Sequence, residues 1–185
     1  MSEATQAPST GPTSGLVYGD VPNRIVAYII DAIVLAIIYF VAAAVLAIVG
    51  ISAASVSGLV VTTNWFGSII LTAVALAISG AYFVYCWTVR RATLGMQVLS
   101  LQIGTAPGGT TISRDQAIRR WLALGAIFSI AQVLSPLPLV GFLIGLASLG
   151  WVIFLLYTTA KSPTKQGWHD VFANTMIVKV AKTVG

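Results

Sequence analysis

Two acidic positions frame the chemistry this chain could do. Asp31 stands inside "NRIVAYIIDAIVLAIIYF", residues 23–40, an apolar run that opens with Arg24. Asp170 follows His169 in "QGWHD". A carboxylate in a membrane helix is costly unless paired, hydrated or protonated, so Asp31 is a candidate for proton or cation handling. On a helix, seven residues close about two turns, which places Arg24 and Asp31 on one face, about 10 Å apart along the axis. Asp31 then lies below the headgroups and short of the midplane. The alternative is positional. Asp31 pairs with a basic residue such as Arg119 or Arg120, or accepts hydrogen bonds from Ser, Thr or Tyr hydroxyls, and fixes helix register.

His169 and Asp170 invite an acid–base reading, but adjacent residues do not share a helix face, and no Ser or Cys nucleophile pattern accompanies them. The expectation is that Asp170 anchors the turn after the last span, on Arg90, Arg91 or Arg24. No catalytic residue is assigned, and the chain is not expected to be an enzyme. Cys86 is the sole cysteine, so no disulfide forms within one chain. One cysteine and one histidine cannot build a structural zinc site, and "GTAPGGTT" lacks the lysine of a phosphate-binding loop. Neither a metal nor a cofactor is expected.

The elements that hold these residues follow from composition. Of 185 residues, 57% are hydrophobic and only 8% charged, and the mean hydropathy is +0.93. A soluble domain carries about 25% charged residues. The chain is therefore read as an integral membrane protein, all-α, with four transmembrane helices. A bilayer core of about 30 Å needs roughly 20 apolar residues. Residues 25–49 and 65–89 supply the first two spans. The block from Trp121 to Thr159 is too long for one helix and is broken at Pro136 and Pro138. It is divided into a lean third span near 120–135, carrying Gln132, and a fourth near 139–159. Residues 1–23 read as a polar, largely disordered cytoplasmic tail, of which "GLVYGDVP" rests on the membrane surface. Residues 179–185 read as a short C-terminal tail.

Charge sets the orientation. With four spans, both termini share one side with the loop 90–119, and that side collects all ten basic residues. The positive-inside rule then makes both termini cytoplasmic. The net charge of +5 is assigned to topology and anionic lipid rather than to nucleic acid, since stacking aromatics do not accompany it. Inside the loop, "QVLSLQI" (97–103) alternates like a strand, and so does "TMIVKV" (175–180). Their pairing predicts a small cytoplasmic β element. Ser113 followed by Gln116 fits a capping box that starts a helix leading into the third span. Gly141 and Gly145 form a GxxxG pair, and Ala43 and Ala47 a small-xxx-small pair, both suited to close helix packing within the bundle or between copies.

Taken together, "RIVAYIID", "ATLGMQVLSLQI" and "KQGWHDVFANTMIV" resemble the RDD family of small bacterial membrane proteins, over about 24–178. That family is named for an arginine and two aspartates, which Arg24, Asp31 and Asp170 match. Thr93 and Gly95 match its threonine-x-glycine motif, and His169 lies within the last motif. Met96 stands where the family often has lysine. Ser100 and Gln102 stand where it favours glycine and arginine. The resemblance implies a bacterial cytoplasmic (inner) membrane location. Cation/proton exchange has been proposed for some members, whereas others are attached to larger systems. The expected function is a structural or accessory subunit of a larger membrane complex. Its partners would be membrane lipid and other membrane subunits or copies of itself. The alternative is a small homo-oligomeric transporter that exchanges a monovalent cation for protons through Asp31.

Overall fold

Long apolar runs with few breakers dictate the helices. In the computed structural model, which describes residues 15–180, α1 spans Val21–Ile48, with proline in its first turn. There the missing N–H has no helical partner to lose. α2 spans Trp65–Tyr85, started by Asn64, whose side chain accepts from the Gly67 N–H at 3.1 Å. It continues through a wider π-type turn, Cys86–Arg90, which Arg91 closes in the left-handed conformation. α3 is a single short helix, Leu94–Val98. α4 (Arg114–Trp121) starts at the expected capping box, with Ser113 and Gln116 exchanging hydrogen bonds at 2.9 and 3.2 Å. α5 covers Ile127–Ala131, α6 Pro138–Lys161 and α7 Trp168–Phe172.

Among the described residues, three helices are long and apolar enough to cross a membrane: Val21–Ile48, Trp65–Arg90 and Pro138–Lys161. The expected third span, 120–135, is not one continuous helix. It belongs to a pair, Arg114–Ala126 and Phe128–Leu134, bent by 41°, which makes a fourth crossing if the two halves act together. The break lies at Gly125, whose φ of 127° is foreign to a helix and open to a residue without Cβ.

β1 (Leu16–Tyr18), β4 (Leu101–Thr105) and β5 (Thr175–Val180) form an antiparallel sheet in the order β1–β5–β4, while β2 (Ala54–Ser57) and β3 (Val60–Thr63) form a separate hairpin between α1 and α2. The register sets Ile103 opposite Ile177 and Val17 opposite Lys179. The expected ribbon is present, but it starts at Leu101, because Gln97 and Val98 belong to α3. Its third strand was not expected. Leu16–Tyr18 lies in the segment read as a disordered or membrane-resting tail, and Val21 already opens α1. Residues 1–14 and 181–185 of the two expected tails lie outside the described residues, and Lys179 and Val180 close β5.

The core sits where the sheet meets the ends of α1 and α2. Leu101, Ile103, Met176, Ile177 and Val178 are buried there with Ala27, Trp87 and Met96. Farther along the bundle the apolar side chains turn outward. Phe40, Ile37, Phe142 and Ile153 are all more than half exposed, as lipid-facing residues are.

Candidate functional site: two carboxylate clamps

Asp31, on the inner face of α1, is buried. Its Oδ1 accepts from the Tyr82 hydroxyl at 2.6 Å and from the Gly95 N–H at 2.8 Å, and its Oδ2 accepts from the Thr93 hydroxyl at 2.6 Å. Local sequence explains this arrangement. Thr93 is the N-cap of α3 and accepts from the Met96 N–H at 3.2 Å, so the first amides of α3 turn toward α1. The Leu94 N–H donates to the Tyr82 oxygen at 3.1 Å and orients the hydroxyl on Asp31. Gly95 lets the helices touch, because a Cβ there would run into the Ala27 carbonyl of α1. The arrangement follows the hydroxyl alternative. Neither Arg119 nor Arg120 is a partner of Asp31: Arg119 pairs with Asp115 at 2.5 Å, one turn away on the exposed face of α4, and Arg120 turns elsewhere.

The second clamp closes on Asp170, which is fully buried. Arg24 Nη1 donates to Oδ2 at 2.8 Å, across 146 residues of chain. Arg120 Nη1 donates to Oδ1, and to the Thr175 hydroxyl at 2.7 Å. The Gly167 N–H also donates to Oδ2, at 3.1 Å. Arg24 is fixed in turn by its Nε on the Gly19 carbonyl at 2.9 Å. Of the expected anchors, Arg24 is used and Arg90 and Arg91 are not. Arg90 is exposed, and Arg91 instead donates to the carbonyls of Ile103 (3.3 Å) and Gly109, bracing β4. Burial opposes the charge on Asp170. Arg120 above all, with His169 and Arg24, overcomes it and holds the carboxyl well below the usual carboxylate range. His169 is the reverse case. Burial, helped by Arg120 and Arg24 and opposed by Asp170, lowers its pKa to about 4. The imidazole is therefore neutral near pH 7, with Nε2 3.5 Å from Asp170 Oδ2.

A model of the RDD family matches residues 18–174, most of the chain. The chain belongs to the RDD family. No match is found among curated proteins or solved structures. In RDD terms, the residues that carried the resemblance sort into two locks. Arg24 holds Asp170, and Asp31 is held by Thr93 and Gly95.

Between the locks lies a cavity of about 220 Å³, lined among others by Arg24, Asp31, Trp87, Arg120, Leu155 and His169. Sequence reasoning missed Tyr82 and Thr175 and gave Arg120 the wrong partner. Tyr82 stood out only as an interfacial aromatic. The small residues are placed as follows. A Cβ on Gly141 would meet the Ser135 carbonyl of the preceding turn, whereas Gly145 has open space around it. Ala43 is half-buried beside a second cavity of about 570 Å³ near the β2–β3 hairpin, and Ala47 is exposed.

Proposed function

We propose that this RDD protein is a structural or accessory subunit of a larger bacterial inner-membrane complex. It would cross the membrane four times, with both termini and the three-stranded sheet in the cytoplasm. One observation carries the reading: both buried carboxylates are engaged by internal donors, every oxygen having at least one. Groups bound this way fix helix positions and leave the outer faces for other contacts. Those faces are broad and apolar, with Ile33, Ile37 and Val41 on α1 and Leu139, Phe142 and Leu146 on α6 all exposed. The four-span orientation gathers all ten basic residues on one side, as the positive-inside rule asks.

Native mass spectrometry of the tagged protein, extracted in mild detergent, tests this reading. A stoichiometric assembly with other membrane polypeptides is expected. A homo-oligomer alone would sink it and favour transport. That second reading has one specific support, since Asp31 lines the 220 Å³ cavity and a carboxylate reachable from a cavity can exchange a proton or cation. For it, Asp31→Asn abolishes cation-dependent proton flux in liposomes and leaves assembly unchanged. For the accessory reading, the same substitution weakens assembly, and the native chain carries no flux.

A further inference from the structure

Three buried polar atoms have no hydrogen-bond partner among the described residues and belong to residues lining one cavity. They are Trp87 Nε1, Arg120 Nε and His169 Nδ1. The three residues are 3%, 4% and 7% exposed. A buried polar group left unpaired is costly and rare, so three around one space call for an occupant that hydrogen-bonds. Trp87 and Arg120 supply donors. With the His169 proton on Nε2, the nitrogen that faces Asp170, Nδ1 is an acceptor. Two donors and one acceptor are the complement of a hydroxyl, which has two lone pairs and one O–H.

The remaining walls say what the hydroxyl is attached to. Ile25, Tyr28, Ile29, Val152 and Leu156 line the same cavity and are themselves exposed, so it reaches the surface between α1 and α6. Those helices are membrane spans by length and composition, and hydrocarbon has no water to offer a buried donor. The volume is about seven times the liquid share of one water molecule, room for a polar head and the first methylenes of a chain. The charged groups at the polar end already have partners: Arg24 and Arg120 both pair with Asp170, and both oxygens of Asp31 accept internal hydrogen bonds. An uncharged head leaves those pairs in place, and a charged one competes with them.

We infer that the cavity between α1 and α6 binds a membrane amphiphile with an uncharged hydroxyl head. The hydroxyl sits among Trp87, Arg120 and His169, and the chain leaves along Leu155 and Ile29. The site is independent of whether the protein is a subunit or a transporter.

The test uses the full chain in nanodiscs of one phosphatidylcholine, doped with a long-chain alcohol bearing a diazirine near its head. The matched methyl ether, alkane and carboxylic acid serve as comparisons, and cross-linked peptides are mapped by mass spectrometry. The alcohol is expected to label residues 25–31 and 152–159 about fivefold more than the ether, the ratio expected for one hydrogen bond. Excess unlabelled alcohol competes the label away. Trp87→Phe removes a donor and keeps most of the ring, and is expected to lower labelling by the alcohol and the ether alike, because both oxygens accept, while labelling by the matched alkane stays level. That split distinguishes a lost contact from a lost fold. Equal labelling by all the probes would overturn the proposal in favour of a merely apolar cleft. Preference for the acid would overturn it in favour of an anionic head. Label no greater there than on the outer face of α2 would leave the cavity to water and end the idea.

Discussion

Asp170 is the residue on which most of this molecule depends. It joins the start of α1 through Arg24, α4 through Arg120, and the first turn of α7 through its own position. Removing one side of a buried ion pair strands the other charge, at about 3–5 kcal/mol. Asp170→Asn strands two arginines and is expected to lose at least that much in unfolding followed in detergent. Arg120→Gln is expected to lose a similar amount, and the double variant less than the sum of the two, because both break one cluster. The neighbouring His169 sets a pH dependence. Its folded pKa, about 4, lies below the ordinary 6.5, so the unfolded chain takes up the extra proton. Stability is full above about pH 6.5 and falls as the pH drops toward 4. Melting temperatures across that window check the sign, and His169→Gln is expected to flatten the slope.

At the scale of elements, the decisive contact is the approach of α3 to α1. Five residues make a helix with little intrinsic stability, so Leu94–Val98 is held by its cap and by Asp31. Gly95→Ala forces α3 away from the Ala27 carbonyl and is expected to cost about 1–3 kcal/mol, the range for overpacking. Amide exchange at Leu94–Val98 is expected to accelerate ahead of exchange in α1. The sequence announced Thr93, Gly95 and Asp31 separately, through a family motif and an apolar run, but it could not say that they meet. That meeting depends on the π-type turn and on Arg91 in the left-handed conformation, neither of which has a one-residue signature. The same limit explains the third apolar block. Hydropathy reads length, and it does not register a bend at Gly125, because glycine also occurs freely in straight membrane helices.

At the scale of the whole molecule, hydropathy exposed most of the plan, because spans in lipid must be long, apolar and internally hydrogen-bonded. The sheet was half legible. Alternation marked β5 and the body of β4, while three residues of β1 are too few to alternate. Orientation is open to a direct measurement. On a Cys86→Ser background, Ser55→Cys on the β2–β3 hairpin is expected to react with a membrane-impermeant maleimide added to intact cells. Thr110→Cys, beside β4, is expected to react only after lysis. The opposite pattern would invert the topology.

The central place of β5 bears on how the protein is made. β5 lies between β1 and β4, and it follows every other described element in the chain. During synthesis, α1 enters the bilayer long before Asp170 is translated, and Arg24 must wait across 146 residues for its counterion. Until then the first helix has a charged end without its mate, and β1 and β4 have a gap between them. The last strand to leave the ribosome thus closes the sheet just after the ion cluster is completed. A nascent chain stalled before it would present unpaired arginines and open strand edges, the features by which membrane quality control can tell an unfinished protein from a finished one.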